Sequence, residues 1–243
     1  IGTMYLMKQY ICARAQLVTF ILFVLTIYFI ERFLETKKIR YAIGLIVIPI
    51  LIANLHVATF YFYFILYLPY IAEFVLYIFA YANVIISGAM IDSIRKKIEK
   101  KGETEELLEK LQKVENKHKK LKEKEDSRLE KPYKIKMTYH DNIKFLIIIM
   151  LICLFTGFLT PLGTTPYTYL IKTMQGISTK NIMEHLPTVL AENKNLLVTF
   201  AIYIAVIAFT KVKIRLSDLF LIGGLGLLAI LSRRQASMFY LIR

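Results

Sequence analysis

Charge in this chain is gathered into one block, and that distribution restricts the fold more than any single motif does. Of its 32 lysines and arginines, 17 lie between Asp92 and Lys144, and of its 18 aspartates and glutamates, 12 lie there too. The rest is close to continuous hydrocarbon. Of the whole chain 56% is hydrophobic and 13% aromatic, with a mean hydropathy of +0.51. A water-soluble domain seldom joins so apolar a composition to so concentrated a charged segment. The pattern predicts an all-α fold, a polytopic transmembrane helical bundle of about six or seven spans. Residues 1–91 form its first part, 92–144 a charged cytoplasmic helical insertion, and 145–243 its second part.

Apolar runs mark the expected spans. The first covers Ala15 to Ile30 and stops at Glu31-Arg32; the second covers Tyr41 to Ala53, after Lys37, Lys38 and Arg40. The third, Val57 to Met90, is too long for one upright helix, and Pro69 is expected to kink it. Glu73 and Asn83 interrupt its apolar surface. Later runs cover Phe145 to Leu159, Leu196 to Phe209 and Leu216 to Leu231, and another starts near Met238. The chain opens at Ile1 without a signal-peptide pattern and ends at Arg243 inside an apolar run, so it reads as an interior portion of a longer membrane protein.

Short basic loops face the cytoplasm. Segments 31–40 and 211–215 are both basic, and placing them inside puts 92–144 inside as well. Arg14, the Asn54–His56 turn, the segment 160–195 and Arg233-Arg234 then fall on the external side. The net charge of +14 suits an anionic membrane surface, and no nucleic-acid-binding motif accompanies it. Cys12 and Cys153 lie in or beside apolar runs and read as small buried hydrophobes, with no disulfide framework or zinc spacing. Within the insertion, Leu107, Leu111, Val114, His118 and Leu121 recur at helical spacing, and Gly102 is suited to turning a helical hairpin.

Polar residues at a membrane edge are costly to keep and often functional. Asn54 and His56 sit between two apolar runs, where His56 could equally cap the turn or meet a ligand. Glu184 and His185 lie in the external segment. Arg233 and Arg234 adjoin a span on the side where positive charge is disfavoured; they suit either headgroup snorkelling or a phosphate clamp, since guanidinium pairs with phosphate oxygens through two bonds.

Several stretches together resemble the GT-C-type glycosyltransferases, bacterial multispan enzymes. Leu51-Ile-Ala-Asn-Leu-His-Val-Ala-Thr-Phe60 is similar to their Ala-Asn-Leu-His-Gly turn. Thr160-Pro-Leu-Gly-Thr-Thr-Pro-Tyr-Thr-Tyr-Leu170 and Ile182-Met-Glu-His-Leu-Pro187 resemble later segments in the same order. Arg14-Ala-Gln-Leu and Ser232-Arg-Arg-Gln fit the family's arginine-bearing edges. Departures are His185 in place of Trp, Thr160 in place of Asn and Leu162 in place of Tyr.

The resemblance implies sugar transfer from a polyprenyl-phosphate donor to an acceptor at the external face of the cell membrane, with or without a divalent metal. It implies a phosphate role for Arg233, Arg234 and Arg14, and sugar or acceptor contacts for Asn54, His56, Glu184 and His185. The family's catalytic carboxylate sits in a first external loop, which here would precede Ile1; Glu184 is the alternative within the chain. Two rivals share these features: a transporter or lipid flippase, and a non-catalytic membrane scaffold recruiting a partner through the insertion.

Overall fold

A computed structural model describes residues 15–101, 105–130, 135–175, 193–210, 213–231 and 236–241. The described chain is mostly helical and all-α in class, its one exception being a parallel pairing of two residues with two. In chain order the helices are α1 (Ala15–Thr36), α2 (Ile39–Leu55), α3 (Phe60–Ile65), α4 (Leu68–Ala80), α5 (Ala82–Lys101) and α6 (Glu105–Glu130). They continue with α7 (Ile143–Cys153), α8 (Thr165–Gln175), α9 (Lys194–Phe209), α10 (Leu216–Leu231) and α11 (Ala236–Leu241).

Two stretches are helical, long and apolar enough to cross a membrane: Leu17–Thr36, and Val57–Ala80, which runs through α3 and α4. Shorter apolar helices lie at Ile39–Leu55, Ile143–Phe158, Lys194–Phe209 and Leu216–Leu231.

α1 and α2 form an antiparallel pair. The chain reverses at Lys37, whose φ of 53° is the left-handed conformation that ends many helices, and Lys37 N–H closes α1 by donating to Phe33 O at 2.9 Å. The buried faces of this pair carry Phe23, Ile30, Leu45 and Ile52, and they pack with Tyr63, Tyr67 and Leu146 into the core. The opposite faces are apolar too: Ile21, Val24, Ile43 and Val47 are exposed, as are Ile148 and Leu151 of α7 and Ile204 and Phe209 of α9. A helix in water normally turns a polar stripe outward.

The third run is interrupted beside Pro69, as expected, whereas a second proline lies inside a helix. The third run breaks at Leu66-Tyr67, and Pro69 lies in the first turn of α4, where a missing N–H leaves no bond unmade. It also ends earlier: the chain turns at Tyr81, and α5 is a separate helix. The interior proline is Pro49, in the middle of α2. Pro49 cannot donate to Leu45 O, so that carbonyl loses its usual partner. The core supplies substitutes: Tyr63 Oη donates to Leu45 O at 2.5 Å and Cys153 Sγ donates at 3.4 Å. Tyr63 Oη also pairs with Tyr67 Oη at 2.5 Å. Cys153 is fully buried, as expected, but it also hydrogen-bonds this carbonyl rather than acting only as a small hydrophobe.

α5 and α6 lie antiparallel. Tyr81 Oη reaches Asp126 at 3.4 Å, Ser87 Oγ meets His118 Nδ1 at 2.8 Å, and Arg95 pairs with Glu115 at 2.8 Å. Leu107, Leu111, Val114, His118 and Leu121 are half-buried along this hairpin. After it, Ile135 and Lys136 pair in parallel with Ile214 and Arg215, which brings the approaches to α7 and α10 together.

Candidate functional site

Long-range polar contacts collect at two opposite ends of the helices. At the first, α2 ends in the sequence Asn54-Leu55-His56. His56 N–H closes the helix on Ile52 O at 2.9 Å, which fixes the residue at the helix terminus. Its Nδ1 lies 3.0 Å from Thr19 Oγ1, near the start of α1. Thr19 is buried and His56 half-buried. Asn54 is exposed; its amide nitrogen donates to Ile50 O at 2.8 Å and, across 105 residues of sequence, to Leu159 O at 3.1 Å. Both donor positions of that amide are thereby used, leaving its carbonyl oxygen as an acceptor.

Aromatic packing strengthens the junction. Tyr61 Oη donates to Tyr167 O, and Tyr167 Oη donates to Leu154 O. Phe60 meets the Tyr167 ring edge-on at 5.7 Å, and Phe158 lies 4.7 Å from it. Gly157 makes this approach feasible, since a Cβ there would come within 2.7 Å of the Tyr167 ring and 2.9 Å of Phe60. The segments Leu51–Phe60 and Thr160–Leu170, far apart in sequence, are thus joined at one end of the fold.

The other sequence candidates lie outside the described residues: Arg14, Glu184, His185, Arg233 and Arg234, together with Cys12. Among the described residues, the structure brings Asn54 and His56 to the same helix terminus. No cluster of three or more His, Cys, Asp or Glu side chains suited to a metal ion occurs among the described residues.

Carboxylates mark the opposite end. Arg215 bonds both oxygens of Glu31, at 2.7 and 2.9 Å, and both oxygens of Asp218, at 3.0 Å each. Tyr70 Oη donates to Glu31 at 2.9 Å. Hydrogen bonds from Arg215 to Glu31, followed by those to Asp218, raise the guanidinium further above its usual range, against the lowering effect of burial. Glu73, almost fully buried, accepts from Thr138 N at 2.7 Å and Thr138 Oγ1 at 3.1 Å. Asn142 ties α7 to α1 by donating to Leu34 O at 2.9 Å.

Sequence reading missed this second cluster as a unit. In the sequence Glu31 reads as the stop of an apolar run and Arg215 as a topology marker, and nothing in either segment names the other as partner across 184 residues. The available signal was Glu73, a carboxylate inside an apolar run, which requires hydrogen-bond donors wherever it is buried.

Comparison of the chain with protein-family models, with curated proteins and with solved structures finds no match.

Proposed function

We propose that this chain is part of a multi-pass cell-membrane protein that handles a lipid-linked sugar, in the manner of the GT-C-type glycosyltransferases. On this reading it moves a sugar from a polyprenyl-phosphate donor to an acceptor at the external face. Six or seven spans cross the bilayer, and residues 92–144 stand in the cytoplasm. The helices of 16 or 17 residues reach only about 24–26 Å, which a bilayer accommodates by local thinning and by snorkelling of flanking side chains. Apolar side chains on the outward faces of α1, α2, α7 and α9 suit hydrocarbon as their solvent.

One observation supports the transfer reading most: the two stretches that resemble family motifs, Leu51–Phe60 and Thr160–Leu170, meet through the edge-on contact of Phe60 with Tyr167 at 5.7 Å, flanked by the Asn54–Leu159 and Tyr61–Tyr167 hydrogen bonds. The Asn54 carbonyl oxygen and the His56 imidazole can hydrogen-bond sugar hydroxyls there. Arg233, Arg234 and Arg14 are assigned to the leaving phosphate, whose charge grows as the glycosidic bond breaks. Glu184 and His185 are assigned to acceptor contacts. A carboxylate must take the acceptor proton. Glu31, Glu73 and Asp218 belong to the opposite end, and that base is assigned to Glu184.

The test uses the full-length protein in membrane vesicles, with a panel of radiolabelled polyprenyl-phosphate hexoses and pentoses. Arg233→Lys or Arg234→Lys keeps the charge but loses the two-pronged geometry, and is expected to slow turnover about tenfold or more at unchanged protein abundance. His56→Ala and Asn54→Ala are expected to slow it as well. Turnover equal to the parent in all four variants would overturn the transfer reading. Movement of intact lipid-linked sugar across the vesicle without bond cleavage would assign the protein to the flippase class.

A further inference from the structure

The α5–α6 hairpin carries a lysine stripe that the transfer reading does not use. Lys113, Lys117, Lys120 and Lys124 are all exposed, and with Asn116 and Leu121 they line a groove of about 470 Å³ on α6. Their spacing of three and four residues puts them on one helix face. Ion pairs engage the N-terminal part of the stripe, and Glu123 and Glu125 adjoin Lys124 in sequence. Glu109 pairs with Lys113 at 2.7 Å, and Glu106 pairs with Lys110 at 2.5 Å. Glu115 is engaged by Arg95, and Asp126 by Tyr81. Lys117, Lys120 and Lys124 have no ion-pair partner among the described residues.

Position decides what such a stripe meets. Asp126 touches Tyr81, the residue that directly follows the apolar stretch Val57–Ala80. At the rise of an α-helix, Lys124, Lys120 and Lys117 stand about 3, 9 and 14 Å along α6 from Asp126. The first two lie within roughly one Debye length of that level at physiological salt. Exposed apolar side chains continue past Tyr81 on α5, at Ile85, Ile86 and Met90. The foot of the hairpin is therefore apolar where α5 leaves Val57–Ala80 and basic alongside it on α6.

We propose that the Lys117–Lys120–Lys124 face of α6 docks on the anionic headgroups of the leaflet from which α5 emerges. This rests on Val57–Ala80 lying in a bilayer, as in the proposed function, but it concerns a different surface and does not depend on any sugar chemistry. The occupant is a lipid surface rather than a soluble polyanion, because the stripe begins at the end of an apolar helix beside exposed Ile and Met side chains.

These 243 residues hold no tryptophan, and with any tryptophan elsewhere in the full-length protein replaced by phenylalanine a single introduced one reports without background. Ser127 is exposed and follows Lys124 by one helical turn. Full-length Ser127→Trp protein is reconstituted in phosphatidylcholine vesicles holding a trace of dansyl-labelled phosphatidylglycerol or dansyl-labelled phosphatidylcholine. Energy transfer is expected to be about fivefold greater to the anionic lipid at low salt. It is expected to fall to parity in about 1 M salt, where the Debye length is about 3 Å. Parity is also expected for Lys117→Gln/Lys120→Gln/Lys124→Gln, which preserves helix propensity. Parity at low salt in the parent, or a preference that survives the triple substitution with helicity unchanged, overturns the proposal. Displacement of the anionic lipid by an added oligonucleotide would reassign the stripe to nucleic acid. A separate Phe79→Trp variant, at a residue 74% exposed on α4, must be quenched by chain-brominated lipid whatever the headgroup charge. Failure there sinks the bilayer reading itself, whereas failure at Ser127→Trp alone sinks only the docking surface.

Discussion

Removing one phenolic oxygen from the core tests whether a proline inside α2 is what dictates the neighbouring polar network. Tyr63→Phe deletes the donor that lies 2.5 Å from Leu45 O, the carbonyl left open by Pro49. It also deletes the partner 2.5 Å from Tyr67 Oη. Cys153 Sγ remains at 3.4 Å as a weak donor to the same carbonyl. Each buried polar group left without a partner costs about 1–3 kcal/mol, and the thiol recovers a fraction of the first, so the expected loss is about 3 kcal/mol. Pro49→Ala changes that account. Alanine restores an N–H that can reach Leu45 O within the helix, and Tyr63→Phe then strands only Tyr67, at about 1 kcal/mol. A double-mutant cycle should therefore show a coupling of about 2 kcal/mol. The assay is reversible unfolding of the purified full-length protein in mixed micelles, with helicity as the readout. Equal costs of Tyr63→Phe in the two backgrounds would refute the assignment of Tyr63 as the replacement donor.

Two further perturbations address the two ends of the fold. Gly157→Ala forces a methyl into the Tyr167 and Phe60 rings, and overpacking there is expected to cost about 1–3 kcal/mol while loosening Thr160–Leu170 from Leu51–Phe60; faster proteolysis within 160–170 is the readout. Tyr81 is pushed up to about 12, by burial first and then by Asp126. Its folded value lies above the ordinary one, so its contribution to stability is complete below the unfolded value near 10 and is lost as pH rises through 12. In ultraviolet titration of phenolate, the difference between the parent and Tyr81→Phe should isolate one phenol that titrates late among the chain's tyrosines, and Asp126→Asn should move that component earlier; a titration unchanged in both would contradict the contact.

How much of this was legible in the sequence depends on the range of the interaction. Apolar runs located the helices, because length and hydropathy are local: Leu216 to Leu231 is both the run and the helix. The long third run does break beside Pro69, at Leu66-Tyr67, but a proline in a first turn and a proline in a helix interior look alike in one dimension. Pro69 drew the expectation, whereas Pro49 is the one whose missing N–H reorganises the core. Asn54 and His56 were singled out from their place between two runs. That Asn54 would hold Leu159 could not be read from composition, since a primary amide has no complementary sequence signature. The Glu31–Arg215 pair was hidden for the same reason, each charge having a sufficient local explanation as the edge of a run.

Sidedness is the claim on which the transfer reading rests, and site-directed labelling addresses it directly. With Cys12, Cys153 and any cysteine outside these 243 residues replaced, Leu162→Cys and Gln112→Cys are introduced separately into the full-length protein at two exposed positions. A membrane-impermeant maleimide is then added to intact cells, and again after permeabilisation. The account predicts that position 162 is labelled in intact cells and position 112 only after permeabilisation. Labelling of position 112 in intact cells would contradict it.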